Sequence, residues 1–284
     1  MIYLPFLGAI SLASGTILEK IVVKHKNIDI KFYQTAIFLV IMLVMLPFIY
    51  FYWKFDPQAL QPLNIIIFSL VIIFSLLANW FVFYSVKGEN VSNLEPAKMI
   101  EPLFVVLLAI LFSFFIDSGM YEKNLKVVIP AIIAGLALIL SHVKRHHLKF
   151  NKYFLSAILG SFFFALELVI SRLILDYYSS LTFYFLRCAF IFLFSLIIFR
   201  PKMIKMDKTL TSYIFITGIF WVLYRVIVYY GYVNLGIIFT TLIIMVSPIF
   251  IYLFAHIFLK EDLSWRNIIA SIIIIGCVLY ATVF

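Results

Sequence analysis

Nine Lys, Arg and Glu side chains lie inside stretches that are otherwise almost wholly apolar: Glu19, Lys20, Glu95, Lys98, Glu101, Glu167, Arg172, Arg187 and Arg225. In hydrocarbon each costs about 2.5–3.5 kcal/mol at mid-span, so unpaired, lipid-facing placement is implausible. They must pair with one another or border water. With a helical rise of about 1.5 Å per residue, depth sorts them into two groups. Glu19 and Lys20 lie near the end of one apolar stretch at the depth of Glu95 and Lys98, with Glu101 deeper, and Glu19–Lys98 and Lys20–Glu95 are candidate pairs. Glu167, Arg172, Arg187 and Arg225 form a second group, richer in cations and expected toward the opposite face. Glu19, Lys20 and Arg172 are close enough to span ends to act as helix-locking pairs that snorkel. For Glu101, Arg187 and Arg225 a cavity is the better reading.

Aromatic rings accompany these charges. Trp221, Tyr224, Arg225 and Tyr229 fall at i, i+3, i+4 and i+8, so rings and a guanidinium share one helical face. Trp80 and Tyr84, at i and i+4, do the same on an earlier segment. Such a face can stack a flat organic solute while the arginine takes its carboxylate or phosphate by a bidentate contact. Packing filler is the competing reading, because the chain has 32 Phe and 17 Tyr. The predicted solute-contacting residues are Trp80, Tyr84, Lys98, Glu101, Arg187, Trp221, Tyr224, Arg225, Tyr229 and Thr241. A buried carboxylate, Glu101 or Glu167, could couple solute movement to protons. Pro102 and Pro248 each remove a backbone hydrogen bond, which at membrane depth is tolerated only where protein or water satisfies the freed carbonyls. Both are expected beside the cavity.

The elements that position these groups follow from composition. Of 284 residues, 65% are hydrophobic and 12% charged, against about 25% charged in a soluble domain. The chain is an integral membrane protein with little room for a soluble domain. A helix needs about 20 apolar residues to cross the bilayer, which predicts ten spans: 2–23, 32–52, 63–86, 92–116, 126–142, 153–175, 180–199, 210–231, 236–258 and 266–284. The runs are too long and too uniformly apolar for barrel strands, so the fold is all-α. Cys188 and Cys277 sit in apolar runs as packing residues. His142, His146 and His147 have no acidic or Cys partner nearby and basic neighbours, so no metal is expected, and no cofactor.

The chain reads as two copies of one unit. Pro102-Leu-Phe and Pro248-Ile-Phe are 146 residues apart; Leu18-Glu19 matches Leu166-Glu167, Phe32-Tyr33 matches Phe183-Tyr184, and Tyr84 matches Tyr230. Five spans per copy is an odd number, so the second copy is inverted. The halves are 1–142 and 153–284, joined by the basic linker 143–152.

The run Tyr230-Gly-Tyr-Val-Asn-Leu-Gly236, then Ser247-Pro-Ile-Phe250, Phe258-Leu-Lys-Glu-Asp-Leu263 and a final apolar helix resembles the EamA-type transporters of the drug/metabolite transporter superfamily. The first half repeats the pattern more loosely as Tyr84 to Leu94, Glu101-Pro-Leu-Phe104 and Glu122. It has about seven extra residues before its acidic turn, and Glu95, Lys98 and Glu101 stand where such proteins usually have small or apolar residues. The resemblance implies that spans three, four, eight and nine line the path while five and ten are peripheral.

Together these readings predict a secondary transporter of a small organic metabolite, working by alternating access of the repeats around a central cavity. Proton coupling and exchange are both open. A flippase for a lipid-linked sugar and a multidrug exporter are the alternatives. An intramembrane enzyme is disfavoured by the absence of a His-Glu-x-x-His, paired-Asp, nucleophile-elbow or phosphate-loop motif. The formal charge of +9 is read as loop charge rather than a nucleic-acid surface. Fourteen loop Lys and Arg follow the odd-numbered spans and three follow the even ones, which puts the first side in the cytoplasm and both termini outside. Members of the family are often drawn the other way. The expected partners are the bilayer of the cell membrane and a small solute, with the chain as monomer or homodimer.

Overall fold

The computed structural model describes residues 3–23, 25, 28–88, 97–116, 119–142, 151–201, 207–259 and 265–283. Among them every extended element is a helix: α1 (Tyr3–Val23), α2 (Ile30–Tyr52), α3 (Pro62–Gly88), α4 (Glu101–Phe115), α5 (Leu125–His142), α6 (Lys152–Ser171), α7 (Ser180–Phe199), α8 (Lys208–Asn234), α9 (Ile237–Ile244), α10 (Ser247–Leu259) and α11 (Trp265–Val283). Short polar residues start them. Asp29, Asn151, Ser179 and Asp207 each accept a hydrogen bond from a first-turn amide, satisfying donors that have no partner inside the helix.

Eight segments are long and apolar enough to cross a membrane, counting Ile237–Phe254 as one, and α4 and α5 are shorter apolar helices. The predicted boundaries are met within a few residues except at two places. Span four, expected over 92–116, is helical from Glu101 after a turn at 99–100, and 89–96 lie outside the described residues. Span nine, expected to be one smooth helix, breaks at Met245 and Val246 between α9 and α10. In both cases the proline is the second residue of the helix after the break. There its missing N–H is no loss, because that amide would have no helical partner. The prolines therefore begin new helices rather than kink existing ones.

Helices of the first half pack mainly on helices of the second. The principal pairs are α3 on α6, α1 on α8, α5 on α11 and α2 on α7, with α4 against α6 and α1 against α10. The α3–α6 approach is close because Gly160 has no side chain; a Cβ there would lie 2.7 Å from Val82 Cγ2 and 3.2 Å from the Ala78 carbonyl.

At the end of the bundle where α2, α4, α6 and α8 finish, the connecting segments of the two halves are tied together. The Asp56 amide donates to Tyr177 O (2.8 Å) and the Ser179 amide to Lys54 O (3.2 Å), around an isolated antiparallel bridge between Phe55 and Tyr178. The Tyr121 hydroxyl donates to Val169 O at 3.0 Å. Glu122 accepts from the amides of Ile238 (2.7 Å) and Phe239 (2.9 Å), the first turn of α9.

Candidate functional site

A cavity of about 260 Å³ lies between the halves, bordered by residues of all of α1 to α10, including Leu138 of α5, a helix expected to be peripheral. It is small beside the roughly 300–1,000 Å³ of most ligand pockets. Five of the intramembrane ionisable residues border it: Glu19, Lys98, Glu101, Arg187 and Arg225. Both prolines border it too, so each broken helix presents its break to the cavity.

Glu167 stands behind this surface, fully buried, and organises its cationic side. Its Oε2 is 3.1 Å from Arg187 Nη2 and 3.8 Å from Arg225 Nη1, and the Tyr229 hydroxyl donates to Oε1 at 2.7 Å. The Arg187 contact is an ion pair without hydrogen-bond alignment, since Oε2 has no hydrogen-bond partner. Arg187 Nε donates instead to Ser75 Oγ at 2.9 Å, and that hydroxyl donates to Val71 O. One carboxylate thus serves two guanidiniums. Arg225 Nη1 is buried and finds no hydrogen-bond acceptor among the described residues. Its guanidinium lies over the rings of Tyr224 (5.3 Å) and Phe164 (5.7 Å), and that of Arg187 over Tyr184 (5.8 Å), placements in which the ring faces attract the cation.

The opposite wall carries Glu19, which accepts from the Tyr33 hydroxyl at 3.4 Å and interacts with Lys98 and Trp221. Glu101 lies between the walls, within electrostatic reach of Arg225, Glu167, Lys98 and Arg187. Members of both groups of charges, expected at opposite faces, therefore border one cavity.

Of the residues singled out from sequence, Lys98, Glu101, Arg187, Trp221, Tyr224, Arg225, Pro102 and Pro248 border the cavity. Trp80 and Tyr84 do not. They are 54% and 42% exposed on the outside of α3, against Phe199 and Tyr153. The face that α3 turns inward carries Asn79, Val82 and Phe83, about 100° round the helix from Trp80 and Tyr84. Tyr229 is fully buried and meets Glu167 rather than the cavity, and the Thr241 hydroxyl lies 3.2 Å from that of Tyr232, away from it. Arg172 leaves the second group and pairs with Asp176 at 2.7 Å. Glu95, His146 and His147 lie outside the described residues.

Tyr33, Tyr184, Asn79 and Ser161 border the cavity without having been selected. For the two tyrosines the signal was present, since Phe32-Tyr33 and Phe183-Tyr184 are repeat equivalents. Nothing in the sequence marks Ser75, whose role depends on α3 crossing α7.

The EamA-like transporter family model matches residues 151–283, the second half of the chain. This half is similar to EamA-like transporters. The match and the long apolar helices together indicate a multi-pass membrane protein. One solved crystal structure, of a protein not otherwise described, is similar with a TM-score of 0.72 over 99% of this chain and 96% of that one, at 16% identity. At that identity the likeness is one of fold. No curated protein matches the chain at a significant level.

Proposed function

We propose that this protein is an EamA-type secondary transporter in which two inverted five-helix units, 1–142 and 153–284, rock about the central cavity to carry a small organic solute. The observation that carries the reading is the buried Arg225 Nη1, which has the 3.8 Å ion pair with Glu167 but no hydrogen-bond acceptor among the described residues, on a wall where charges and rings from both units converge. A buried guanidinium donor without an acceptor is costly, and a carboxylate or phosphate on the solute supplies the acceptor. Trp221, Tyr224 and Phe164 offer ring faces for its body.

The packing supports the inverted pair. Exchanging the units turns α1 on α8 into α6 on α3, turns α4 on α6 into α9–α10 on α1, and maps α2 on α7 and α5 on α11 onto themselves. Residues at the 146-residue spacing also pair up around the cavity: Lys98 with Ile244, Met99 with Met245, Glu101 with Ser247, and Pro102 with Pro248. Solute sites between inverted repeats, beside interrupted helices, are the common arrangement in secondary transporters. On the loop charges, the cell membrane would hold the chain with its basic loops in the cytoplasm.

The test is transport. A solute chosen by its thermal stabilisation of the purified protein is followed into proteoliposomes. Glu101→Gln and Arg225→Ala are expected to fold and to abolish its movement. Unchanged flux in both would overturn the assignment.

A further inference from the structure

The cavity is closed at one end. Its residues near the starts of α2 and α4 and the ends of α1 and α3 include half-buried Glu19, Lys98 and Phe83. Beyond Tyr184 and Arg187, toward the end where α2, α4, α6 and α8 finish, the interior is filled by Phe183, Tyr229 and Leu175, each at most 1% exposed. What covers this filled end is a set of cross-links between the halves, and one of them is a carboxylate.

Glu122 belongs to the segment between α4 and α5, yet both its oxygens are spent on α9 of the other half. The arrangement is specific on both sides. Gly236, the residue before α9, has φ +94°, and a Cβ there would collide with the Glu122 carboxylate. The two amides belong to the first turn of α9, where N–H groups lack helical partners and the helix dipole favours an anion. Burial holds the Glu122 carboxyl above the ordinary carboxylate range, and the amides of Phe239 and Ile238 act in the opposite direction. A carboxylate that is costly to bury is thus placed where it joins the first half to the element that breaks beside the cavity.

The geometry points to Glu122 as the latch of the closed end: its grip on the start of α9 holds the two halves together there, and that grip must release before the cavity can open to this side. The Phe55–Tyr178 bridge is the second closure at the same end. The inference rests on the transporter reading, because only a protein with two access states needs a latch, but it concerns residues that do not border the cavity.

The experiment reads opening without any solute. In a Cys188→Ala/Cys277→Ala chain reconstituted in vesicles, Leu175→Cys places a thiol at a 1%-exposed position under the closure. A membrane-impermeant maleimide reports how often it is uncovered. Loss of two hydrogen bonds to a charged group in Glu122→Ala is expected to raise the labelling rate about ten- to a hundredfold. Gly236→Ala, which pushes on the same carboxylate from the other side, is expected to raise it as well. A disulfide between Phe55→Cys and Tyr178→Cys, facing positions of the bridge, is expected to suppress labelling until it is reduced. Labelling of Glu122→Ala at the parent rate in folded protein overturns the latch. So does labelling that the disulfide leaves unchanged, a comparison that stands even if Glu122→Ala does not fold. Faster labelling in a chain that moves no solute would keep the latch and remove the transport assignment, whereas flux with unaltered labelling would do the reverse.

Discussion

Replacing Glu167 with Gln removes one negative charge and almost no volume, and it separates the two roles a carboxylate can have at this site. Glu167 is fully buried, and the side chains of its partners Arg187 and Arg225 are 3% and 8% exposed. Solvent therefore screens the pair little, and the value for breaking a buried ion pair applies, about 3–5 kcal/mol. The Tyr229 hydroxyl can still donate to the amide oxygen, so that hydrogen bond is kept. Arg225 borders the cavity and can be rehydrated, whereas Arg187 remains against Ser75. The expected loss is therefore at the low end, about 3 kcal/mol. Unfolding in mixed micelles with increasing dodecyl sulfate, followed by tryptophan fluorescence, measures it. A double-mutant cycle with Arg187→Gln sharpens the test, because removing the stranded guanidinium should restore at least about 1 kcal/mol. Glu101→Gln, at the cavity surface, should stay within about 0.5 kcal/mol of the parent. If Glu167→Gln costs no more than Glu101→Gln and adds simply to Arg187→Gln, the carboxylate is not the counter-ion of the pair and the site is wetter than the geometry implies.

Two further outcomes follow from the placement of single residues. Trp80→Ala and Tyr84→Ala, on the outer side of α3, should leave solute affinity unchanged, while Trp221→Ala should lower it; titration of the stabilising solute against each variant decides. Gly160→Ala should cost about 1–3 kcal/mol, because its Cβ would lie 2.7 Å from Val82 Cγ2 and α6 would have to move off α3, and the same micellar unfolding detects it.

Much of the architecture was legible without coordinates because a bilayer restricts what an apolar segment can do. Run length and the near absence of charge located the helical segments, since only helices satisfy their own backbone in lipid. The cost of burying Glu101, Arg187 and Arg225 implied a shared polar interior. The likeness of the second half to EamA-like transporters was also legible in its motifs. Which way each face turned was another matter. Trp80 and Tyr84 have the same spacing as the inward pair Asn79 and Phe83, and one residue of rotation separates lipid from cavity. Periodicity gives the existence of a face but not its partner. Likewise the prolines announced irregular backbone, but whether they kink a helix or begin a new one depends on what stands before them in space. Only the tertiary structure brought Glu167 between two arginines from α7 and α8, set Ser75 under Arg187, and carried Glu122 across to α9. These contacts join residues 20 or more positions apart through the crossing of helices, and no local pattern encodes the angle at which helices cross.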